Sequence, residues 1–391
     1  MAEAGVAGGA NNVWRGTVAA MCVILAGIGL ARFAYTPLIP ALVAAGWFTP
    51  GQAASLGAAH LAGYLLGAVV ARPLAARLRA VSLLRAMMVL TSVSFIACAV
   101  PLSFAWFFLW RLTAGLTGAV LMVLAAPSVL PHVPVARRGL AGGIIFTGVG
   151  IGIAVSGSLV PLFLQFGLVA AWLGLGALAA MLTVIAWSGW PDAAKDVKDA
   201  PSDASARVIV PRVLMALYIG YALNAAGLVP HVIFLVDFVA RGLGQGIAAG
   251  AWQWVLFGLG AVAGPVLLGR LADRIGFAAS VRLAYAVEAA CIALLSVTAN
   301  GVVLALTSVV VGAYVPGITT LTLGRARELL PGGIDRQRAA WSVATAAFAL
   351  GQAVAAYGFS YLFVLEGSYT LLFALGAAAI VTALVIDVAA A

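Results

Sequence analysis

Charge is what this sequence has least of. Only 8% of its 391 residues are Asp, Glu, Lys or Arg, against roughly 25% in soluble domains, so an ordinary soluble fold is excluded. No polar tract is long enough to form a domain outside a bilayer, which excludes a disordered chain, a secreted disulfide scaffold and a nucleic-acid binder. The three cysteines, Cys22, Cys98 and Cys291, stand singly in apolar stretches and read as small buried hydrophobes. No His/Cys/Glu spacing suits a metal and no Walker-type phosphate loop is present. Neither metal, cofactor nor enzymatic chemistry is expected.

Apolar residues make up 64% of the chain. Runs of about 20 residues, enough to cross a hydrocarbon core of about 30 Å, number twelve, at 14–45, 51–75, 80–100, 104–131, 138–165, 168–190, 209–239, 246–270, 279–299, 302–329, 337–364 and 368–389. The pattern predicts an all-α polytopic membrane protein. Residues 1–13 carry no basic n-region, so the first run reads as a permanent span and not a signal peptide.

The net charge of +9 is a topology signal. If Arg15 is cytoplasmic and the spans alternate, eighteen of the 21 Lys and Arg fall on that side, Arg241 alone lies in an outer loop, and Arg32 and Arg111 lie within spans. The positive-inside rule then places both termini in the cytoplasm. The one long hydrophilic segment, after the sixth span, divides the chain into a six-helix half at 1–190, a cytoplasmic linker at 191–208 and a second six-helix half at 209–391. A shift of 197 residues lays LAAR at 74–77 on LADR at 271–274, in the loop after the second span of each half. Parallel six-helix halves are a transporter architecture, in which one half rocks against the other around a site near the mid-plane. In the fifth span Gly142, Gly143, Gly148, Gly150, Gly152 and Gly157 leave little bulk, suiting either static close packing or a moving interface.

GRLADRIG at 269–276 resembles the loop signature G-x-L-A-D-R-x-G of the major facilitator superfamily. The resemblance implies a conformational latch at Gly269, Asp273, Arg274 and Gly276, in which Asp273 bonds the start of a neighbouring helix and pairs with Arg. The matching stretch RPLAARLR at 72–79 has Ala76 in place of the acid, which weakens a first-half latch. RLTAG at 111–115 is similar to an R-x-x-x-G pattern that the superfamily associates with proton coupling. GIGLARFAYTPLIPAL at 27–42, LAGYLLGA at 61–68, FTGVGIGIAVSG at 146–157 and VPHVIFLVDFVARGLG at 229–244 resemble the YbfB/YjiJ-type subfamily. That resemblance implies the major facilitator fold and secondary active transport of a small solute across a bacterial cytoplasmic membrane.

An Arg at a helix centre costs about 2.5–3.5 kcal/mol on insertion scales, which makes Arg32 and Arg111 functional candidates. Arg32 with Tyr35 makes one polar face before Pro37 and Pro40, and His60 with Tyr64 makes another. No carboxylate occurs in the first six spans, so the cluster is electropositive and suits an organic anion; the alternative is that both arginines bond carbonyls freed by helix breaks. In the second half Asn224 and His231 share a face of the seventh span, interrupted at Pro230, and Gln352 lies mid-span. These eight residues are the expected substrate contacts.

Arg111, Asp237 and Glu288 are the proton-coupling candidates. For Asp237 a cap paired with Arg241 is the competing role, and for Glu288 a structural partner such as Arg282. Trp252 and Trp254 read as an outer aromatic belt. The expected function is proton-coupled transport of a small organic anion by a monomer in the lipid bilayer, with efflux of amphipathic compounds by antiport as the alternative. The charge distribution predicts that a cysteine placed at 191–208 is shielded from an impermeant thiol reagent added outside intact cells. Labelling from outside would overturn the orientation.

Overall fold

The computed structural model describes residues 14–134, 138–190, 212–330 and 334–390. The 191–208 linker and the N-terminal thirteen residues lie outside these. Among the described residues twelve helices are long and apolar enough to span a bilayer: helix 1 Trp14–Ala44, helix 2 Pro50–Arg77, helix 3 Ala80–Ala97, helix 4 Phe104–Val129, helix 5 Ala141–Leu164, helix 6 Leu168–Trp187, helix 7 Arg212–Gly242, helix 8 Gly246–Ile275, helix 9 Phe277–Val297, helix 10 Gly301–Leu329, helix 11 Ala339–Glu366 and helix 12 Tyr369–Ala390. Trp14 and Arg212 lie on one face of the bundle, the linker face, across from the opposite face.

Helix starts obey local chemistry. Thr49 and Gln52 form a reciprocal capping box ahead of Pro50. Ser103 caps helix 4 and Asn300 caps helix 10, each accepting from backbone N–H groups of the first turn. Between helices 8 and 9 the chain reverses through Gly276 at φ 81°, a left-handed conformation that costs glycine nothing.

Helices 1 and 7 are the most enclosed: 83% of the most apolar stretch of each is buried, against 39–61% for the other ten. Both are irregular where they pass the centre. Helix 1 is π-helical over Leu25–Leu30 and regains α geometry only at Tyr35, so it loosens ahead of Pro37 and Pro40 and not at them. A proline ring clashes with the carbonyl four residues earlier, which moves the distortion toward the preceding turn. Helix 7 is α-helical to Gly227 and then π-helical over Pro230–Phe234 and Phe238–Gly242.

The 197-residue repeat is physical. A side chain on Gly63 or Gly67 of helix 2 would strike the carbonyls of Leu112 and Leu116 in helix 4; on Gly260 or Gly264 of helix 8 it would strike those of Val309 and Ala313 in helix 10. Likewise Gly115 lies on the His60 carbonyl and Gly312 on that of Phe257. Every one of these counterparts is 197 residues apart, so the two halves use the same small-residue contact to join their second and fourth helices.

Side-chain contacts between the halves gather from the middle of the bundle toward the opposite face. Thr36 donates to the Val232 carbonyl at 2.5 Å, the Phe33 and Trp254 rings lie 6.0 Å apart, and Gly51 abuts Val364. Helices 5 and 8 touch from Gly157 to Gly150, the latter against Val262, whereas Gly142 and Gly143, nearer the linker face, have no neighbour where a side chain would sit. Gly63→Val or Gly260→Val is therefore expected to lower the thermal stability of the purified protein by about 1–3 kcal/mol through overpacking, while Gly143→Ala leaves it unchanged. Equal melting of all three variants would show that these approaches carry no packing.

Candidate functional site

The loosened stretch of helix 1 carries Arg32, whose residue is 9% exposed. Its Nη2 donates to Gln352 Oε1 of helix 11 at 2.5 Å, joining the halves. The guanidinium carbon lies 4.9 Å from the Phe33 ring centre and 5.6 Å from that of Tyr64, so two aromatic faces support the cation. Arg111 of helix 4 is 2% exposed. Its Nη1 donates to the Ala31 carbonyl at 2.9 Å, and its guanidinium sits 4.3 Å from the Tyr35 ring centre. Ala31 is the residue whose own N–H reaches back to Ala26, the wide π-helical spacing. Arg111 thus bonds a carbonyl in the irregular turn of helix 1, whereas Arg32 reaches across to a carboxamide.

Tyr35 does not share a face with Arg32 alone: its hydroxyl donates to the Ala53 carbonyl at 2.7 Å and its ring supports Arg111. His60 is 1% exposed and lies within electrostatic reach of both arginines. Tyr221 of helix 7, which sequence reasoning did not single out, also lies within reach of Arg32 and Tyr64, and its hydroxyl shares a hydrogen bond with Thr319 at 3.0 Å. Among the described residues no carboxylate pairs with Arg32 or Arg111.

Hydrogen-bond accounting gives the site its character. Arg32 Nε, Arg111 Nε and Gln352 Nε2 are buried without partners. These are donors lacking acceptors, and unsatisfied donors of this kind are costly. Two cations without an anion add the larger cost. The repeat adds an asymmetry: 197 residues on from His60 and Arg111 stand Phe257 and Ser308, so at these two positions of the shared scaffold only the first half carries basic groups.

Arg32, Tyr35, His60, Tyr64, Arg111 and Gln352 therefore converge, and other sequence candidates stand elsewhere. Asn224 turns to helix 9, where its Nδ2 donates to Glu288 Oε2. His231 is wholly buried with its ring edge-on to Phe373 of helix 12, centroids 5.3 Å apart. Both belong to the second half's interior. Asp237 accepts two bonds from Arg241 and one from the Tyr369 hydroxyl at 2.6 Å, the geometry of a clamp joining helices 7 and 12.

Arg282 pairs with Asp387 at 2.7 Å, not with Glu288. Trp252 is 59% exposed as a belt residue would be, but Trp254 is fully buried, stacked on Phe257 and donating to Ser156 across the halves at 3.3 Å. The belt reading therefore fails for Trp254: two residues past Trp252 on the same helix is about 200° around it, which turns the ring inward. Gly269, Asp273, Arg274 and Gly276 lie at the linker-face end of helix 8 or just past it. Asp273 and Arg274 are exposed there, and among the described residues neither forms an ion pair.

Twelve spans in two like halves, with a buried polar site where the first helix of one half meets the other half, define a major facilitator transporter. The chain belongs to the family described as "Uncharacterised MFS-type transporter YbfB", whose model matches residues 24–388. No curated protein matches the sequence. Among solved structures it is similar to a D-xylose-proton symporter, with a TM-score of 0.71 at 16% identity over 95% of this chain and 97% of that one. A mutant of the nucleoside transporter NupG gives 0.74 at 14% identity, covering 95% and 99%. The partially occluded inward-open xylose transporter XylE of E. coli gives 0.71 at 15%, covering 95% and 96%. At these identities the likeness is one of fold.

The clamp geometry yields a prediction. Asp237→Asn leaves Arg241 with a neutral partner and is expected to lower thermal stability by about 1–3 kcal/mol, as a buried charge-assisted bond is lost. A variant as stable as the parent but unable to couple transport to protons would make Asp237 a proton carrier and not a clamp.

Proposed function

We propose that this protein is a secondary active transporter that carries a small organic anion by alternating access, linked to the proton gradient. It sits in a bacterial cytoplasmic membrane as a monomer with both termini and the 191–208 linker inside. The observation that carries the reading is the surplus of buried donors around Arg32 and Arg111 with no carboxylate among the described residues to meet them. A carboxylate or phosphate entering from the linker face would accept from both guanidiniums, and Arg suits such two-point recognition. Because Arg32 also holds Gln352 of the other half, an anion that draws Arg32 toward itself loosens a bond between the halves, which ties binding to rocking. The solved neighbours are named for a sugar and for nucleosides, so neutral hydroxylated solutes are the natural comparison.

A second reading, proton-driven efflux of amphipathic compounds, is favoured by an almost wholly apolar groove of ≈ 800 Å³ between helices 7 and 11, lined by Met215, Ile219, Val343 and Leu350 among others. Such a groove would admit an apolar solute from the lipid.

A thermal-stability panel of organic acids, sugars, nucleosides and amphipathic amines separates these. A ligand at 100 times its dissociation constant adds about 2.7 kcal/mol of stability, and carboxylates are expected to give that response. Arg32→Lys keeps charge but loses the planar fork, and is expected to weaken binding about tenfold or more, roughly 1.4 kcal/mol. Arg32→Gln and Arg111→Gln are expected to abolish it. Stabilisation by amines alone, unaffected by either Gln variant, would replace the anion reading with the efflux one.

A further inference from the structure

The unpartnered atoms around Arg32 are donors, and a second buried cluster has the opposite deficit. Glu288 in helix 9 has no exposed surface. Its Oε2 accepts from Asn224 Nδ2, while Glu288 Oε1 and Asn224 Oδ1 have no partner, and the Tyr285 hydroxyl one turn away has none either. Among the described residues no cation pairs with it, since Arg282 is committed to Asp387.

The titratable groups around it are Tyr285 and Cys291 on its own helix and Tyr314 on helix 10. Through Tyr285 come Tyr221 on helix 7 and Asp387 on helix 12. Helix 8 contributes only Arg270, Asp273 and Arg274, all exposed toward its linker-face end.

An ionised carboxylate in this setting would be a buried charge with one hydrogen bond, from a neutral amide, and no counter-ion among the described residues, and such a charge is costly. A single proton reverses the deficit. On Oε1 it removes the charge and turns an acceptor into a donor, which the unpartnered Asn224 Oδ1 of the cluster can accept; the Tyr285 hydroxyl, both donor and acceptor, serves either state. We infer that Glu288, held by Asn224, is a proton-binding site inside the second half, linked to the anion site through helix 7.

The link is geometric. A side chain at Gly220 would lie 3.2 Å from the Tyr285 oxygen, so this phenol rests on helix 7 beside Tyr221. Tyr221 packs on Phe348 with ring centroids 4.6 Å apart and lies within reach of Arg32. Release breaks the Oε1–H bond, leaves the electron pair on the carboxylate and passes the proton to water that enters as the helices part. Uptake reverses this. An anion on one side of helix 7 and a proton on the other cancel in charge, so the two travel together as symport. This coupling rests on the anion reading, whereas proton binding at Glu288 does not.

Infrared difference spectroscopy on the full-length protein in lipid tests the proton site without a substrate. Wild-type protein at neutral pH is expected to show a carboxylic-acid C=O band that shifts in D₂O, disappears in Glu288→Gln and moves in frequency in Asn224→Ala. Only carboxylate bands lost in Glu288→Gln, or an acid band indifferent to Asn224→Ala, would overturn the site. If Glu288→Gln cannot be purified, the Asn224→Ala comparison alone decides.

For the coupling, spin labels at Gly143 and Gly269, on the linker-face parts of helices 5 and 8, are expected to change separation as pH rises from about 6 to about 10, the range over which a buried acid gives up its proton, in wild type and to hold one separation in Glu288→Gln. A pH response that persists in Glu288→Gln would sink the coupling. Neither measurement involves an organic acid, so failure of the anion reading registers separately in the thermal panel.

Discussion

A guanidinium inside a bilayer-spanning bundle must be given partners or it will not stay there, and this protein holds two. Their needs account for much of the local structure. Helix 1 opens into π-helical and irregular turns where a regular helix would have satisfied its own carbonyls, and Arg111 takes one of them. Aromatic faces of Phe33, Tyr35 and Tyr64 line the cations. Gln352 reaches in from the other half. The arginines retain unused donor capacity, and that remainder is what we propose recognises the substrate.

The scaffold that holds these groups is nearly indifferent to them. Helices 2 and 4 approach through Gly63, Gly67 and Gly115 just as helices 8 and 10 do through Gly260, Gly264 and Gly312. Small residues are what allow backbones to meet where lipid offers no hydrophobic drive for association. On this shared frame the first half places His60 and Arg111 where the second places Phe257 and Ser308, and the second half instead buries an acid, Glu288, away from the centre. Separating acid from base on two sides of helix 7 keeps them from neutralising one another as a fixed ion pair.

Much of this was legible in the sequence, because a bilayer admits few solutions. Twelve apolar runs and the placement of Lys and Arg are direct consequences of hydrocarbon thickness and charge transfer. Arg32, Arg111, His60 and Gln352 were visible as polar groups in apolar runs. Their pairings were not: Arg32 and Gln352 are 320 residues apart. Counting a helical repeat puts Asn224 and His231 on one face, and α spacing does run from Asn224 to Val232, but the residues they meet belong to helices 9 and 12 and not to the central site. Asn224 then satisfies Glu288 of helix 9, a partner that helix-face counting within helix 7 does not reveal. Trp254 escaped for a related reason, since a position near a helix start says little about which way the ring points.

The central claim is that Arg32 and Arg111 together hold an anionic group. A crystal of the protein soaked with a brominated organic acid, measured at the bromine absorption edge, locates the ligand directly. The account predicts an anomalous peak beside the two guanidiniums, with the carboxylate oxygens within hydrogen-bond distance of both, absent from Arg111→Gln crystals. A peak confined to the apolar groove of helices 7 and 11, with the arginines untouched, would contradict it.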